Sequence, residues 1–340
     1  MANLKTRYMG LELKNPIIVG ANNLVTDIDN LKRMEESGAA AVVFKSLFEE
    51  QINLENLELF EGRTEYEERN AEMITLFPNS KSVPRDPLEH LMKLRKAKEA
   101  VSIPVFASLN AVSDETWIDY AAKIEETGVD GLELNFYTLP EKIDDGNENI
   151  ESKQVKILRD VKSVVHIPVS VKLSPFYTNS LRVISDLDKA GANGFVLFNR
   201  LFQPDINIQT ERHRFPFNLS SPDDHRLPLR FAGLLYGNIE ASICTNSGIF
   251  SGRDVIKMIL AGADCVQVVS TLYKSGIDVI KSMVEELGQW MDSKGYETVD
   301  SFRGKLSKKN TDNKLPYHRA QYLDFIMGTS EILKKYKGIR

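Results

Sequence analysis

The chain reads as an α/β protein of the (β/α)8 TIM-barrel class, and three observations point there. Four times a helix-like segment closes on glycine, at Gly38, Gly128, Gly191 and Gly262, and passes directly into an apolar run. Eight such runs alternate with helix-like segments along the 340 residues. The four repeats end on polar residues, Lys45, Asn135, Asn199 and Ser270. Glycine ends a helix at low cost because it enters the left-handed region at C′. A mostly apolar run suits a strand buried on both faces of a parallel sheet. The four polar residues would then share the edge of the sheet where a parallel barrel builds its active site.

The elements follow in order. Pro16–Gly20 is the first strand, and Thr26-Asp27-Ile28-Asp29 opens a helix that ends at Gly38. Ala41–Phe44 is the second strand. Residues 46–84 are charged and irregular, an insertion too long for a plain connection. A helix over Pro87–Ala100 leads to the third strand, Pro104–Ser108. Ser113-Asp114-Glu115-Thr116 opens the next helix, which closes at Gly128, and Gly131–Phe136 is the fourth strand. A helix near 149–163 precedes the fifth strand, Pro168–Leu173, and one over 178–190 precedes the sixth, Gly194–Phe198. Residues 200–226 form a second insertion, and Leu227–Tyr236 is a short helix. The seventh strand is Ala241–Thr245, followed by a helix over Ser251–Leu260, the eighth strand at Cys265–Val269, and a last helix over Gly276–Met291. An open doubly wound sheet is the competitor, but eight units and no G-x-G-x-x-G after the first strand favour the barrel. The reading is a barrel over 1–296 and a polar C-terminal extension, 297–340, packed outside it.

Bulk properties narrow the function. Hydrophobic residues make up 42% and charged residues 27%, a globular balance, and the net charge of -5 speaks against a nucleic-acid partner. No apolar stretch approaches the roughly 20 residues of a membrane span, and residues 1–7 lack a signal-peptide core. Cys244 and Cys265 are the only cysteines, too few for an iron–sulfur cluster, and read as core residues of a cytoplasmic protein.

The rim inventory carries the chemistry. It collects Gly20, Ala21, Lys45, Ser46, Ser108, Asn110, Asn135, Tyr137, Thr138, Lys172, Ser174, Asn199, Arg200, Asn246, Ser247, Gly248, Ser270 and Thr271. It lacks the paired acids of a glycosidase and any cluster able to hold a catalytic metal. Two lysines among amides and hydroxyls suit an electron-rich, anionic ring system. Thr245–Asp254 supplies glycines, hydroxyls and a helix start after the seventh strand, and Ser270-Thr271 supplies the partner loop. In barrels a phosphate commonly sits between these two loops.

These residues resemble those of the class 1 dihydroorotate dehydrogenases, FMN-dependent barrels, over roughly residues 3–307. The likeness lies in Asn15-Pro16, Phe44-Lys45-Ser46, Glu133-Leu134-Asn135, Pro168–Leu173, Ser247-Gly248-Ile249, Ser251-Gly252-Arg253-Asp254 and Phe302–Leu306. The resemblance implies FMN against Gly20 and Ala21, with Lys45 and Lys172 as the flavin lysines. It implies Asn135 touching flavin and substrate, and Ser46, Asn110, Ser247, Gly248, Ser270 and Thr271 around the rest of the cofactor. Cations beside the ring stabilise the negative charge of reduced flavin. A homodimer is implied as well, with the redox partner left open.

The chain also departs from the pattern. Class 1 enzymes read Asn-Leu-Ser-Cys-Pro-Asn after the fourth strand, the cysteine being the base; here Asn135-Phe136-Tyr137-Thr138-Leu139-Pro140 puts Thr138 at that place. Class 2 relatives use serine there, so a hydroxyl base has precedent, though an alcohol must relay its proton onward. Tyr137 is the rival. Pro140 stands where an asparagine is expected, Met73–Asn79 lacks the family's substrate-loop order, and Arg200 follows Asn199 in place of Ser or Thr. Asn135, Asn199 and Arg200 are the substrate candidates, Arg200 as a carboxylate clamp. The implied reaction is oxidation of dihydroorotate to orotate in pyrimidine biosynthesis. The alternatives are the same chemistry on another dihydropyrimidine or unsaturated carboxylate, or a flavin- or phosphate-binding barrel without catalysis.

Overall fold

A computed structural model of the protein describes residues 2–49, 87–137, 150–200, 204–214, 219–319 and 322. Most of the first insertion therefore lies outside the described residues, as do Met73–Asn79, Thr138 and Pro140.

An antiparallel hairpin, β1 (Thr6–Tyr8) and β2 (Leu11–Leu13), precedes the barrel. The barrel strands are β3 (Ile17–Val19), β4 (Ala41–Val43), β6 (Val105–Asn110), β7 (Gly131–Asn135), β8 (Val169–Leu173), β9 (Gly194–Leu197), β12 (Ser242–Asn246) and β13 (Cys265–Val268). All eight pair in parallel in this order, and β13 pairs with β3 to close the ring. A two-residue strand, β5 (Leu47–Phe48), continues the second strand's exit along β6. The second insertion carries an exposed antiparallel hairpin, β10 (Asp205–Asn207) and β11 (Arg212–Arg214).

The helices outside the barrel are α1 (Ile28–Glu36), α2 (Leu88–Ala100), α3 (Asp114–Glu125), α4 (Ile150–Val164), α5 (Ser180–Lys189), α6 (Arg226–Leu235), α7 (Gly252–Ala261), α8 (Ser270–Ser275) and α9 (Val279–Lys294). Local chemistry sets their ends. Asp27 Oδ1 accepts from the backbone N–H groups of Asp29 and Asn30, so Asp27 caps α1. Gly38 and Gly191 turn from helix to strand at φ +102° and +98°, a region closed to most side chains. Gly276 was expected to open the last helix. At φ +82° it ends α8 instead, and α9 begins at Val279.

Outward strand residues such as Ile17, Val42, Leu132, Val171, Phe195 and Val266 pack against the helices as one large core. Inside the barrel a second cluster joins Ile18, Val43, Phe106, Val196, Cys244 and Cys265 to Tyr8, Met9 and Leu13. The β1–β2 hairpin therefore plugs the barrel at the N-terminal ends of its strands. Tyr8 meets Phe106 edge-on at 5.9 Å. A Cβ at Gly194 would fall 3.0 Å from both Met9 and Tyr8, so the plug needs glycine there.

Beyond α9 the chain returns to the barrel. Gly304 and Leu306 donate backbone N–H groups to the carbonyls of Ile259 and Leu260 at the end of α7. Arg303 pairs with Asp264, whose other oxygen accepts the Ile243 N–H at 2.7 Å. Burial outweighs the arginine's pull and raises the Asp264 carboxyl to about 6. Among the described residues no helix is long and apolar enough to cross a membrane.

Candidate active site

The C-terminal ends of the strands form the open face of the barrel, because the hairpin fills the other end. Period-two alternation turns Ser108 and Asn110 of β6, Glu133 and Asn135 of β7, Ser170 and Lys172 of β8 and Gln267 of β13 inward. All seven are buried.

Each sequence candidate within the described residues has a definite place there. Gly20 follows β3 and donates to the Val268 carbonyl at 3.1 Å, with Ala21 beside it. Lys45 follows β4 beside His90 of α2. Burial, reinforced by the charges of Lys45 and Lys93, lowers the His90 imidazole to about 4, so it stays neutral at pH 7. The Ser46 and Ser108 hydroxyls lie 2.7 Å apart. Asn199, just past the cis Leu197–Phe198 peptide, donates its amide to Asn135 Oδ1 at 2.6 Å and toward the Phe136 carbonyl at 3.3 Å. Lys172 Nζ lies 3.6 Å from Glu133 Oε1.

The loops after β12 and β13 also meet. Ser247 and Gly248 both adopt left-handed backbone, at φ +67° and +71°. The linking residue is one that sequence reasoning missed. Ser220 Oγ accepts the Gly248 N–H at 3.2 Å, and the Ser220 N–H donates to Ser270 Oγ at 2.8 Å. Lys274 Nζ donates to the Ser220 carbonyl at 2.8 Å. Its only sequence signal is the capped turn that follows, Ser221-Pro222-Asp223-Asp224.

The start of α7 carries its own capping interactions. The Asp254 carboxylate accepts the N–H groups of Phe250 and Ser251, each at 3.1 Å, and pairs with Lys257 at 2.9 Å. Those interactions and the Lys257 charge hold its carboxyl below the usual range despite burial. The N–H groups it takes up belong to the N-cap Ser251 and the residue before it, ahead of the first helical residue, Gly252. At the rim, α8 starts at Ser270 with no side-chain cap.

Arg200 is engaged as well. Its Nη1 meets Asp224 Oδ2 at 2.5 Å, and the Ser221 N–H donates to the same oxygen at 2.7 Å. The pair borders a cavity of 390 Å³ lined in part by Phe176, Phe198, Asn199, Leu227 and Ser247. Such a volume suits a small molecule. Several buried polar atoms at this end lack a hydrogen-bond partner among the described residues: Asn246 Oδ1, Gln267 Oε1 and Thr271 Oγ1. Buried groups of this kind normally find one, so they are available to a polar ligand. Among the described residues no group of three His, Cys, Asp or Glu could hold a metal ion.

Comparison with known proteins agrees with this geometry. The sequence profile of the dihydroorotate dehydrogenase family matches residues 83–291. The catalytic subunit of dihydroorotate dehydrogenase B (NAD(+)) from Thermoplasma volcanium is 28% identical, over 91% of this chain and 100% of that protein. The corresponding subunit from Methanocaldococcus jannaschii is 27% identical, over 84% and 92%. Dihydroorotate dehydrogenase A (fumarate) from Lactobacillus helveticus is 25% identical, over 90% and 99%. A profile that spans more than half the chain, on a closed parallel barrel, shows that this protein belongs to the dihydroorotate dehydrogenase family, oxidoreductases that act on a CH–CH bond.

Proposed function

We propose that the protein binds FMN at the open end of the barrel and oxidises dihydroorotate to orotate, a step of pyrimidine biosynthesis. One observation carries the reading. Buried Lys172 and the linked amides of Asn135 and Asn199 lie at the strand exits, the same end of the barrel as the unpartnered oxygens of Asn246, Gln267 and Thr271. Cation, amides and a hydroxyl gathered at the open end of a barrel fit a flavin ring with its phosphorylated side chain, and Asn199 also lines the neighbouring cavity.

In this reading Gly20 and Ala21 let the ring approach the backbone. Lys45 and Lys172 offset negative charge that develops on it, and Ser46, Asn110 and Asn135 orient it. Ser247, Gly248, Ser270 and Thr271 line the phosphate end. FMN, when bound, supplies the acceptor for the hydride lost from carbon. Thr138, one residue beyond Tyr137, takes the carbon-bound proton and relays it onward, since an alkoxide is too basic to persist. Asn199 and Asn135 bind the substrate's polar edge. We also read the protein as a cytoplasmic homodimer, measurable by light scattering.

Arg200 favours a second reading. With Nη1 on Asp224, the guanidinium is held rigidly at the cavity edge beside Leu227 and the exposed Phe176. A guanidinium at that edge suits the same flavin chemistry on another dihydropyrimidine or unsaturated carboxylate. Anaerobic addition of dihydroorotate to purified protein separates the two readings. Loss of the oxidised-flavin absorbance supports dihydroorotate as substrate. A flavin that stays oxidised overturns it, and bleaching by another cyclic carboxylate from a panel then supports the second reading.

A further inference from the structure

A carboxylate lies across the middle of this barrel, where an apolar side chain would pack without cost. Glu133, the third residue of β7, is only 1% exposed. Its Oε2 accepts a 2.6 Å hydrogen bond from Nε2 of Gln267, on β13 at the opposite wall. Its Oε1 makes no hydrogen bond to a described residue and lies 3.6 Å from the Lys172 ammonium on neighbouring β8. Below it is the plug, where Tyr8 is also fully buried. Burial raises the Tyr8 phenol well above its ordinary value, and the Glu133 charge adds to the effect. The carboxylate thus has the plug with its buried Tyr8 phenol beneath it, and Gln267 and Lys172 as its partners.

Desolvating a carboxylate costs several kcal/mol even when it is paired, so Glu133 is not a stabilising choice for that position. Its geometry suits another task. Lysine carries a compact charge on a flexible stem, and nothing in that stem fixes where the ammonium sits. Glu133 supplies the fixed point, and Gln267 holds Glu133. The Gln267 carbonyl reaches up to the β3 exit, where a Cβ on Gly20 would meet it at 3.0 Å.

We propose that Glu133 is a positioning residue, the buried counter-ion that sets where the Lys172 ammonium lies and moderates its charge toward the bound flavin. The inference rests on the FMN reading above. Lys172 favours the reduced, more negative ring, and Glu133 offsets part of that pull. The redox potential of the cofactor is therefore tuned by a residue that never touches it.

The test is a double-mutant cycle on FMN-loaded protein, read by flavin midpoint potential. Glu133→Gln is expected to move the potential upward. Placed on Lys172→Met, the same substitution is expected to shift it by less than half as much, because the effect travels through the lysine. Glu133→Asp retracts the carboxylate by one methylene and covers the case in which Glu133→Gln does not fold. Its expected shift is upward and smaller. An unchanged or lowered potential, or equal shifts in both backgrounds, overturns the inference while leaving the flavin reading intact. Wild-type protein that takes up no FMN overturns the flavin reading, and the inference with it.

Discussion

Asn199 Nδ2 stands 2.6 Å from Asn135 Oδ1, which ties the exits of β9 and β7 across the end of β8. The same amide reaches the Phe136 carbonyl at 3.3 Å. Two strand ends that are not neighbours in the sheet are therefore held in register by one side chain. Replacing Asn199 by alanine leaves Asn135 unrestrained and a buried acceptor unpaired, at a cost of about 1–3 kcal/mol. The expected result is a lower melting temperature and a kcat/KM for dihydroorotate reduced by roughly 10–100-fold, in line with the loss of about two polar contacts. Thermal denaturation and steady-state kinetics check it.

Two buried titratable groups pull stability in opposite directions between pH 4 and 6.5. The Asp264 carboxyl sits at about 6 in the fold, above the roughly 3.9 of an unfolded chain. Across that interval the native state holds more protons, so this group lowers stability as pH rises. His90 sits at about 4, below an unfolded value near 6.5. The native state holds fewer protons there, so this group raises stability as pH rises. Each contributes on the order of 3 kcal/mol over its window, at 1.36 kcal/mol per pKa unit. The wild-type profile is expected to be nearly flat from these two groups. Asp264→Asn makes stability climb with pH and His90→Gln makes it fall, whatever either does to the overall level. Urea titrations at pH 4, 5, 6 and 7 read the slopes.

Gly248 lies at φ +71°, and a Cβ there would sit 2.3 Å from the backbone nitrogen of His225. Gly248→Ala must shift the 222–225 turn and with it Ser220, whose hydroxyl accepts the Gly248 N–H. Strain and displacement together are expected to cost about 1–3 kcal/mol. If the phosphate end of FMN lies there, retention falls at least about tenfold, 1.4 kcal/mol or more. Absorbance after gel filtration measures it. Full retention would remove this loop from the cofactor site.

Thr138→Ala is expected to leave flavin content unchanged and lower kcat by about 10²-fold or more, as for loss of a positioned general base. Thr138→Cys, with a more acidic thiol, is expected to hold activity to lower pH. A Thr138→Ala protein with full turnover would move the role to Tyr137 or elsewhere.

The barrel strands are legible to within two residues because burial on both faces writes each as a mostly apolar run. The β1–β2 hairpin escaped notice because three residues per strand leave no alternation to detect. α8 was read as loop because Ser270-Thr271 continues the hydroxyl-rich exit of β13. For the site, strand-end position alone brought Lys172, Asn135 and Asn199 together. It missed Ser220 and Gln267. Ser220 lies in an insertion with no period of its own. Gln267 sits mid-strand, where only the barrel's curvature reveals that it meets Glu133. The Ser251–Asp254 spacing does write the capping box of α7 in the sequence.

The hairpin beneath the barrel has a consequence for how the chain is assembled. Met9 N–H bonds to Ser242 Oγ, and Thr6 Oγ1 donates to the Asp264 carbonyl, across 233 and 258 residues of sequence. The stopper is thus made by the ribosome long before the seventh and eighth staves it anchors to. Until β12 and β13 emerge, the hoop is open and the inner apolar surface faces water. Contacts this distant along the chain are slow to form, and partly closed forms are prone to associate. The protein's exposure to misassembly is therefore concentrated in the interval before its last two strands arrive.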